Sequence, residues 1–222
     1  MNTASLSRTY DARMAEPVGR PNVVSYAIDP RSAALVGVDF QVGFGHGFEP
    51  VPHADEAVAN FVALARAWRS AGGTVIHVHT TYTPEREPTG RITDFVPGIA
   101  GALSEGSPLA AFYDGMVEDG DVLVPKTTFS AVLSSDLAGE LARRGFDTAV
   151  VGGLTTPICV QTTVDALSMT GTKVCLVTDA CASQPMGGLS AEEAHDAAVQ
   201  RMGYLFASVT TTAELIDRIA SG

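Results

Sequence analysis

The stretch Thr148-Ala149-Val150-Val151-Gly152-Gly153-Leu154-Thr155-Thr156-Pro157-Ile158-Cys159-Val160 decides the fold. Residues 148–151 form a short, nearly continuous apolar run, which is how a strand reads when both of its faces are covered. Two glycines follow. Helical spacing then starts at Pro157, where a missing backbone N–H costs least, and continues to Met169. Outward from this unit the alternation repeats. Strand-like runs occupy residues 33–40, 74–80, 121–125, 174–178 and 204–209, and helical spacing occupies 57–68, 135–144, 191–202 and 213–220. In the first of these helices Ala57, Val58, Phe61, Val62, Leu64, Ala65 and Trp68 recur at three and four residues, and Gly72-Gly73 stops it. Strands alternating with helices predict an α/β protein, a parallel sheet between two helix layers.

The 222 residues are 45% apolar and 18% charged, with mean hydropathy +0.17, the composition of a globular chain rather than a disordered one. A domain of this length buries about 70% of its unfolded surface and needs no disulfide or metal to fold. The expected organisation is an N-terminal arm over 1–25, either a flexible tail or a strap across a neighbouring subunit, followed by one domain over 26–222. A net charge of −11 argues against nucleic acid as a partner. No apolar run approaches the roughly 20 residues that span a bilayer. The first 20 residues carry Arg8, Asp11, Arg13, Glu16 and Arg20 and lack the apolar stretch of a signal peptide. Three cysteines, an odd number, suit free thiols in a reducing compartment. The expectation is a cytoplasmic protein with no membrane partner. Residues 82–120, rich in Pro and Gly, break the rhythm and read either as a lid or binding loop or as a surface excursion.

Ligands of an open parallel sheet gather at the carboxyl ends of its strands. Three ionisable residues fall there: Asp39 after the first strand, Lys126 after the third and Cys159 after the fourth. Each alone has an ordinary explanation, as a loop cap, a solvated strand end and a small core residue. Three at one sheet edge point to a site, because Asp and Lys are seldom buried unless paired. Cys159 is expected in the first turn of a helix, where unpaired N–H groups and a nearby cation lower a thiol pKa and can hold an oxyanion. Cys175, inside an apolar run, reads as packing, and Cys181 as an incidental loop residue.

At these residues the chain resembles the isochorismatase-like cysteine hydrolase superfamily, which includes nicotinamidases, carbamoylsarcosine amidase and maleamate amidohydrolases. The resemblance covers residues 33–219. D-x-Q-x-x-F is matched by Asp39, Gln41 and Phe44. A valine-rich strand running into Lys, with Ser-Ala further on, is matched by Lys126, Ser130 and Ala131. Gly-x-x-Thr-x-x-Cys-Val is matched by Gly153, Thr156, Cys159 and Val160, and Asp-Ala-Cys by Asp179, Ala180 and Cys181. The resemblance implies a six-stranded parallel sheet in the Rossmann-like order 3-2-1-4-5-6. It also implies a triad of Asp39, Lys126 and Cys159, a cis peptide at Leu154–Thr155, and an oxyanion hole made by the N–H groups of Thr155 and Cys159. The implied activity is hydrolysis of a small amide or carbamoyl-type C–N bond through a thioester, by a homo-oligomer, dimer or tetramer. The alternatives are vinyl-ether hydrolysis and a non-catalytic binding or assembly subunit.

Other residues complete the expectation. Gly43, Gly45 and Gly47 are followed by Glu49-Pro50-Val51-Pro52 rather than by a helix, which argues against a dinucleotide cofactor. His77 and His79 share a strand face. The Asp-x-His pair through which metal-binding relatives hold their ion is missing, so no metal and no cofactor are expected. His53 and Asp55 stand at a helix start, where they read as caps. His46 and His195 have no evident partners. Phe61 and Trp68 read as core. Phe44, Tyr82, Phe95 and Phe129 are candidates for the pocket wall, and Gln41 for orienting Asp39, water or substrate. Arg86 and Arg91 are placed to receive a substrate carboxylate or to be solvated.

Overall fold

The computed structural model describes residues 24–221, so residues 1–23 of the expected arm lie outside the described residues. Six strands form one wholly parallel sheet: β1 (Ala33–Val38), β2 (Thr74–Thr80), β3 (Val122–Lys126), β4 (Thr148–Leu154), β5 (Lys173–Ala182) and β6 (Ser208–Thr210). Their order is β3-β2-β1-β4-β5-β6, the expected 3-2-1-4-5-6. The long helices are α1 (Ala54–Ser70), α5 (Leu137–Arg144), α6 (Gln161–Met169), α7 (Ala191–Leu205) and α8 (Thr212–Ser221). Three single turns, α2 (Ile92–Phe95), α3 (Ile99–Ala102) and α4 (Ala131–Ser134), sit in the connections. No helix among the described residues is long and apolar enough to cross a membrane.

The alternation of side chains along each strand splits the core in two. Leu35, Val75 and Val150 face α1 and α8, where they meet Phe61, Trp68 and Leu215. Val36, Ile76 and Val151 face the other way, against Leu141, Val164, Leu167 and Met202. Every β1 residue is buried, hence the unbroken apolar run. Each fully buried large side chain adds about 1.5–3 kcal/mol.

Several expected bounds shift. The two glycines after residue 151 belong to β4, not to a loop. A Cβ on Gly152 would lie 2.9 Å from the Ala180 carbonyl oxygen, and one on Gly153 2.3 Å from that of Val38, so the sheet pinches where only glycine fits. A bulge at Val151/Gly153 lets β5 continue past residue 178 and pair Gly153 with Cys181. Residues 204 and 205 finish α7, and β6 is a three-residue edge strand. The helix expected from Pro157 opens with a separate π-helical turn, Thr156–Val160, before α6. A second such turn, Gly43–Gly47, stands on the glycines after β1.

His53 occupies the α1 N-cap in a left-handed conformation (φ 63°) without a side-chain cap bond, and its ring pairs with Glu56 at 2.9 Å. The expected capping by His53 and Asp55 is therefore corrected, because Asp55 instead meets the His46 ring at 3.0 Å. That contact also gives His46 the partner it was expected to lack.

His77 lies 3.1 Å from Asp121, just before β3. Asp121 also accepts bonds from Arg69 Nε and Nη2 at 3.0 and 2.6 Å and from the Glu118 N–H at 2.9 Å. Burial opposes the Asp121 charge, but the bonds from His77, Arg69 and Glu118 outweigh it and hold the carboxyl below the ordinary range. Asp121→Asn should thus cost about 2–4 kcal/mol at pH 7, since it breaks a buried charged pair. A depressed folded pKa stabilises above the unfolded value of about 3.9 and stops doing so as pH falls through the folded pKa. The gap in urea midpoint between wild type and variant should therefore start to narrow near about pH 4 and shrink progressively as pH falls further. A gap that persists in acid would show that the charge is not what matters.

Candidate active site

Asp39 follows β1 with φ 53°, a conformation rare outside glycine but open to Asp. Its N–H donates to the Val78 carbonyl at 2.8 Å, which fixes the turn against the end of β2. The Asp39 side chain is fully buried. Its Oδ1 accepts from the Thr80 hydroxyl at 3.0 Å, and its Oδ2 faces Lys126 Nζ at 2.8 Å. Lys126, 1% exposed, also donates to Thr80 Oγ1 and the Thr128 carbonyl, both at 2.8 Å, and lies 3.6 Å from Cys159 Sγ. The three residues expected at one sheet edge are therefore one hydrogen-bonded cluster. Burial alone would lower the Lys126 pKa, but the negative charge of Asp39, joined by that of Cys159 whenever it is a thiolate, reverses that, and the net shift is upward.

Cys159 sits in the π-helical turn between β4 and α6, not in the first turn of a regular helix. Its thiol pKa, expected below the ordinary value, is instead pushed up to about 12. Burial is the largest cause; Lys126 pulls it down, and the charge of Asp39 and its bond to the thiol push it up again. The resting group is a thiol beside a carboxylate. The peptide Leu154–Thr155 is cis, as the family resemblance implied.

A cavity of about 300 Å³ opens on Cys159, Lys126 and Thr155. Phe44, Phe95 and Phe129 lie on its wall, as expected. Ile92, Val96 and Ile99 from the 82–120 segment line it too, so that segment builds a binding wall. A larger hollow of about 420 Å³ between α1, β5 and α7 contains none of Asp39, Lys126 and Cys159.

Two expected pocket residues are placed elsewhere. Gln41 is fully buried; its Nε2 donates to the carbonyls of Thr80 and Ala110 at 2.9 and 2.7 Å, and its Oε1 accepts from the Thr80 N–H at 2.7 Å. Its amide is thus occupied by backbone and holds the Thr80 end of β2 in place. Tyr82 packs with Ile92, Ile99 and Leu103, and its hydroxyl donates to the Thr127 carbonyl at 3.3 Å, outside the Cys159 cavity. Arg86 donates to the Thr81 carbonyl and Arg91 pairs with Asp94, and neither lines the cavity.

Cys181 is a buried strand residue whose thiol donates to the Val177 carbonyl, and burial pushes its pKa to about 12, so the exposed-loop reading is corrected. Cys175 is buried in the core as expected. His195 has a partner after all: its Nδ1 lies 2.9 Å from Thr156 Oγ1, beside the cysteine turn. The residue not singled out from sequence is Thr80, which joins Asp39 to Lys126. Its only signal was its place at the end of a strand, level with Lys126 in the sheet register. His77 and His79 do share a face, against Phe112. His77 is committed to Asp121, and burial lowers the His79 pKa to about 4. Among the described residues no group of three or more His, Cys, Asp or Glu is placed to hold a metal.

A six-stranded parallel sheet between helix layers, with a buried polar cluster at its carboxyl edge, places the chain in the three-layer α/β class. The Isochorismatase domain family matches residues 33–214, and the chain belongs to the isochorismatase family of hydrolases. It is 32% identical to the maleamate amidohydrolase of Pseudomonas putida over 144 residues, 62% of this chain and 66% of that one. It is 28% identical to an isochorismatase family protein of Bacillus subtilis, YwoC, over 86% of this chain and 96% of that one. Among solved structures, a cysteine hydrolase from Pseudomonas syringae pv. phaseolicola superposes with TM-score 0.83 at 29% identity, covering 90% of this chain and 98% of that one.

Proposed function

We propose that the protein is a cysteine amidohydrolase that cleaves the C–N bond of a small amide through a thioester on Cys159. The observation that carries this reading is the cluster itself: a thiol 3.6 Å from Lys126 Nζ, which is in turn 2.8 Å from the Asp39 carboxylate. Asp39 takes the thiol proton as sulfur attacks the carbonyl carbon, so that thiolate forms only as the C–S bond does. Lys126 keeps Asp39 ionised and balances the negative charge on sulfur. The N–H groups of Thr155 and Cys159 receive the oxyanion. Asp39 returns the proton to the leaving nitrogen, and ammonia or an amine departs. Water then gives its proton to Asp39, adds to the thioester carbonyl and expels the Cys159 sulfur, which recovers the proton. The products are a carboxylic acid and the amine. Vinyl-ether hydrolysis needs no covalent nucleophile and would leave Cys159 without a task. The 32% identity to a maleamate amidohydrolase favours amide cleavage.

The test is ammonia release from a panel of small carboxamides, with acid quenching and mass mapping during turnover. The expected result is an acyl mass on the peptide that contains Cys159. Ammonia release with no adduct on that peptide under conditions where acylation outruns hydrolysis would remove the covalent mechanism.

A further inference from the structure

The walls of the Cys159 cavity carry little that would welcome a charged substrate. Phe44, Phe48, Phe95 and Phe129 line it together with aliphatic side chains. Among the described residues its only cationic lining group is Lys126, whose Nζ is already held by Asp39, Thr80 and Thr128. Its other charged lining group is Glu49, an anion. Asp39 and Lys126 cancel, and the Cys159 thiol is neutral at rest, so the wall carries a net negative charge. An anionic substrate entering here would lose hydration in an apolar space, meet Glu49 and find no free cation.

One lining group stands out against this apolar wall. Gln184 follows β5 by two residues, and its Oε1 is buried without a hydrogen-bond partner. A buried polar atom left unpaired costs about 1–3 kcal/mol. Such an atom on the wall of a binding cavity is satisfied when a ligand supplies the missing partner. An amide pairs well with another amide or a hydroxyl, and it carries no charge with which to neutralise a carboxylate.

We propose that the cavity selects an uncharged amide with an aromatic or branched apolar body, and that Gln184 is the specificity-determining residue that pairs with the substrate's polar group. This deepens the amidohydrolase reading and rests on it for the identity of the reacting bond. The apolar body lies against Phe44 and Phe129, the scissile carbonyl lies over Cys159, and an N–H or O–H of the substrate meets Gln184. The consequence is a substrate class unlike the anionic maleamate named for the Pseudomonas putida relative.

The experiment is titration calorimetry on the turnover-dead Cys159→Ala chain with two probes, benzamide and maleamate. Benzamide should bind at least about 10-fold more tightly than maleamate. Gln184→Arg in the same background should reverse that preference, because it places a cation where the neutral amide stood. Gln184→Leu, which keeps the bulk and removes the amide, should weaken benzamide about 5- to 10-fold and leave maleamate as poor as before. Equal affinity for the two probes, tighter maleamate, no binding of benzamide, or a ratio unmoved by both substitutions would overturn the proposal. Ammonia release by the native chain reads the reaction separately. Selective binding without ammonia from any amide would end the hydrolysis reading and leave the selectivity standing. Ammonia release together with equal affinities would do the reverse.

Discussion

Cys159→Ala should leave a folded protein whose amide turnover has fallen by at least about 10⁴-fold, the scale of loss when a covalent nucleophile is removed. The fold should tolerate the change. Cys159 is small and borders a cavity, so the substitution removes one heavy atom where packing is already incomplete. The loss in unfolding free energy should be within about 1 kcal/mol, read by urea midpoint. The pH profile adds a second, independent readout. Burial and the neighbouring carboxylate push the thiol pKa to about 12, so free thiolate is scarce throughout the working range. If the reactive species were thiolate formed in advance, kcat/KM would climb steadily with pH toward that value. If Asp39 takes the proton during attack, kcat/KM should instead stay flat from neutral pH to about pH 9 rather than climb with it. A steady rise through pH 9 in the native protein, or residual activity above about 1% in Cys159→Ala, would count against general-base activation of a covalent nucleophile.

How much of this was legible in the sequence depends on which residues carried a signal of their own. β1 read directly because its residues are apolar and covered on both faces, and Asp39 and Lys126 drew attention as charges at the ends of the β1 and β3 runs. The end of β4 did not read, because Gly152 and Gly153 look like a turn; that glycine is required by the approach of Val38 and Ala180 appears only once the strands are paired. The same bulge carried Cys181 from an expected loop into β5. Gln41 illustrates a different limit. Its motif sets it two residues from Asp39, but its partners are the backbone of Thr80 and of Ala110, 39 and 69 residues away, and no local pattern shows such bonds. Thr80 went unnoticed because a threonine at a strand end is ordinary until sheet register sets it against Lys126. The thiol pKa was misjudged in sign because a helix N-terminus and a lysine can be read from sequence, whereas the depth of burial that outweighs them cannot. Gln184 carried no signal at all; only the cavity reveals an amide oxygen without a partner.

Asp39→Asn and Lys126→Met should each lower kcat/KM by about 10³- to 10⁵-fold, and the double variant should be little worse than either single one. The reason is the geometry of the pair. Asp39 and Lys126 are both essentially inaccessible to solvent and lie 2.8 Å apart, so each charge exists largely because of the other. Lys126→Met leaves a carboxylate buried without a counter-charge. Asp39 then holds its proton and is no longer a base, so removing the lysine removes the aspartate's function too. Asp39→Asn leaves Lys126 beside Cys159 at 3.6 Å, where the ammonium favours thiolate. Sulfur is then a ready nucleophile, but nothing returns a proton to the leaving nitrogen, and the first turnover stalls. Each single change therefore disables the same proton path. Stability should follow a different rule: each single variant removes one partner of a buried ion pair and should lose about 3–5 kcal/mol, whereas the double variant leaves neither partner unmatched and should recover part of that loss. The two readouts separate a catalytic unit from a merely structural ion pair, which would show the stability pattern while its activity followed the folded fraction. A double variant whose loss in kcat/KM equals the product of the two single losses, measured on folded protein, would show that Asp39 and Lys126 act independently and that the proton path runs elsewhere.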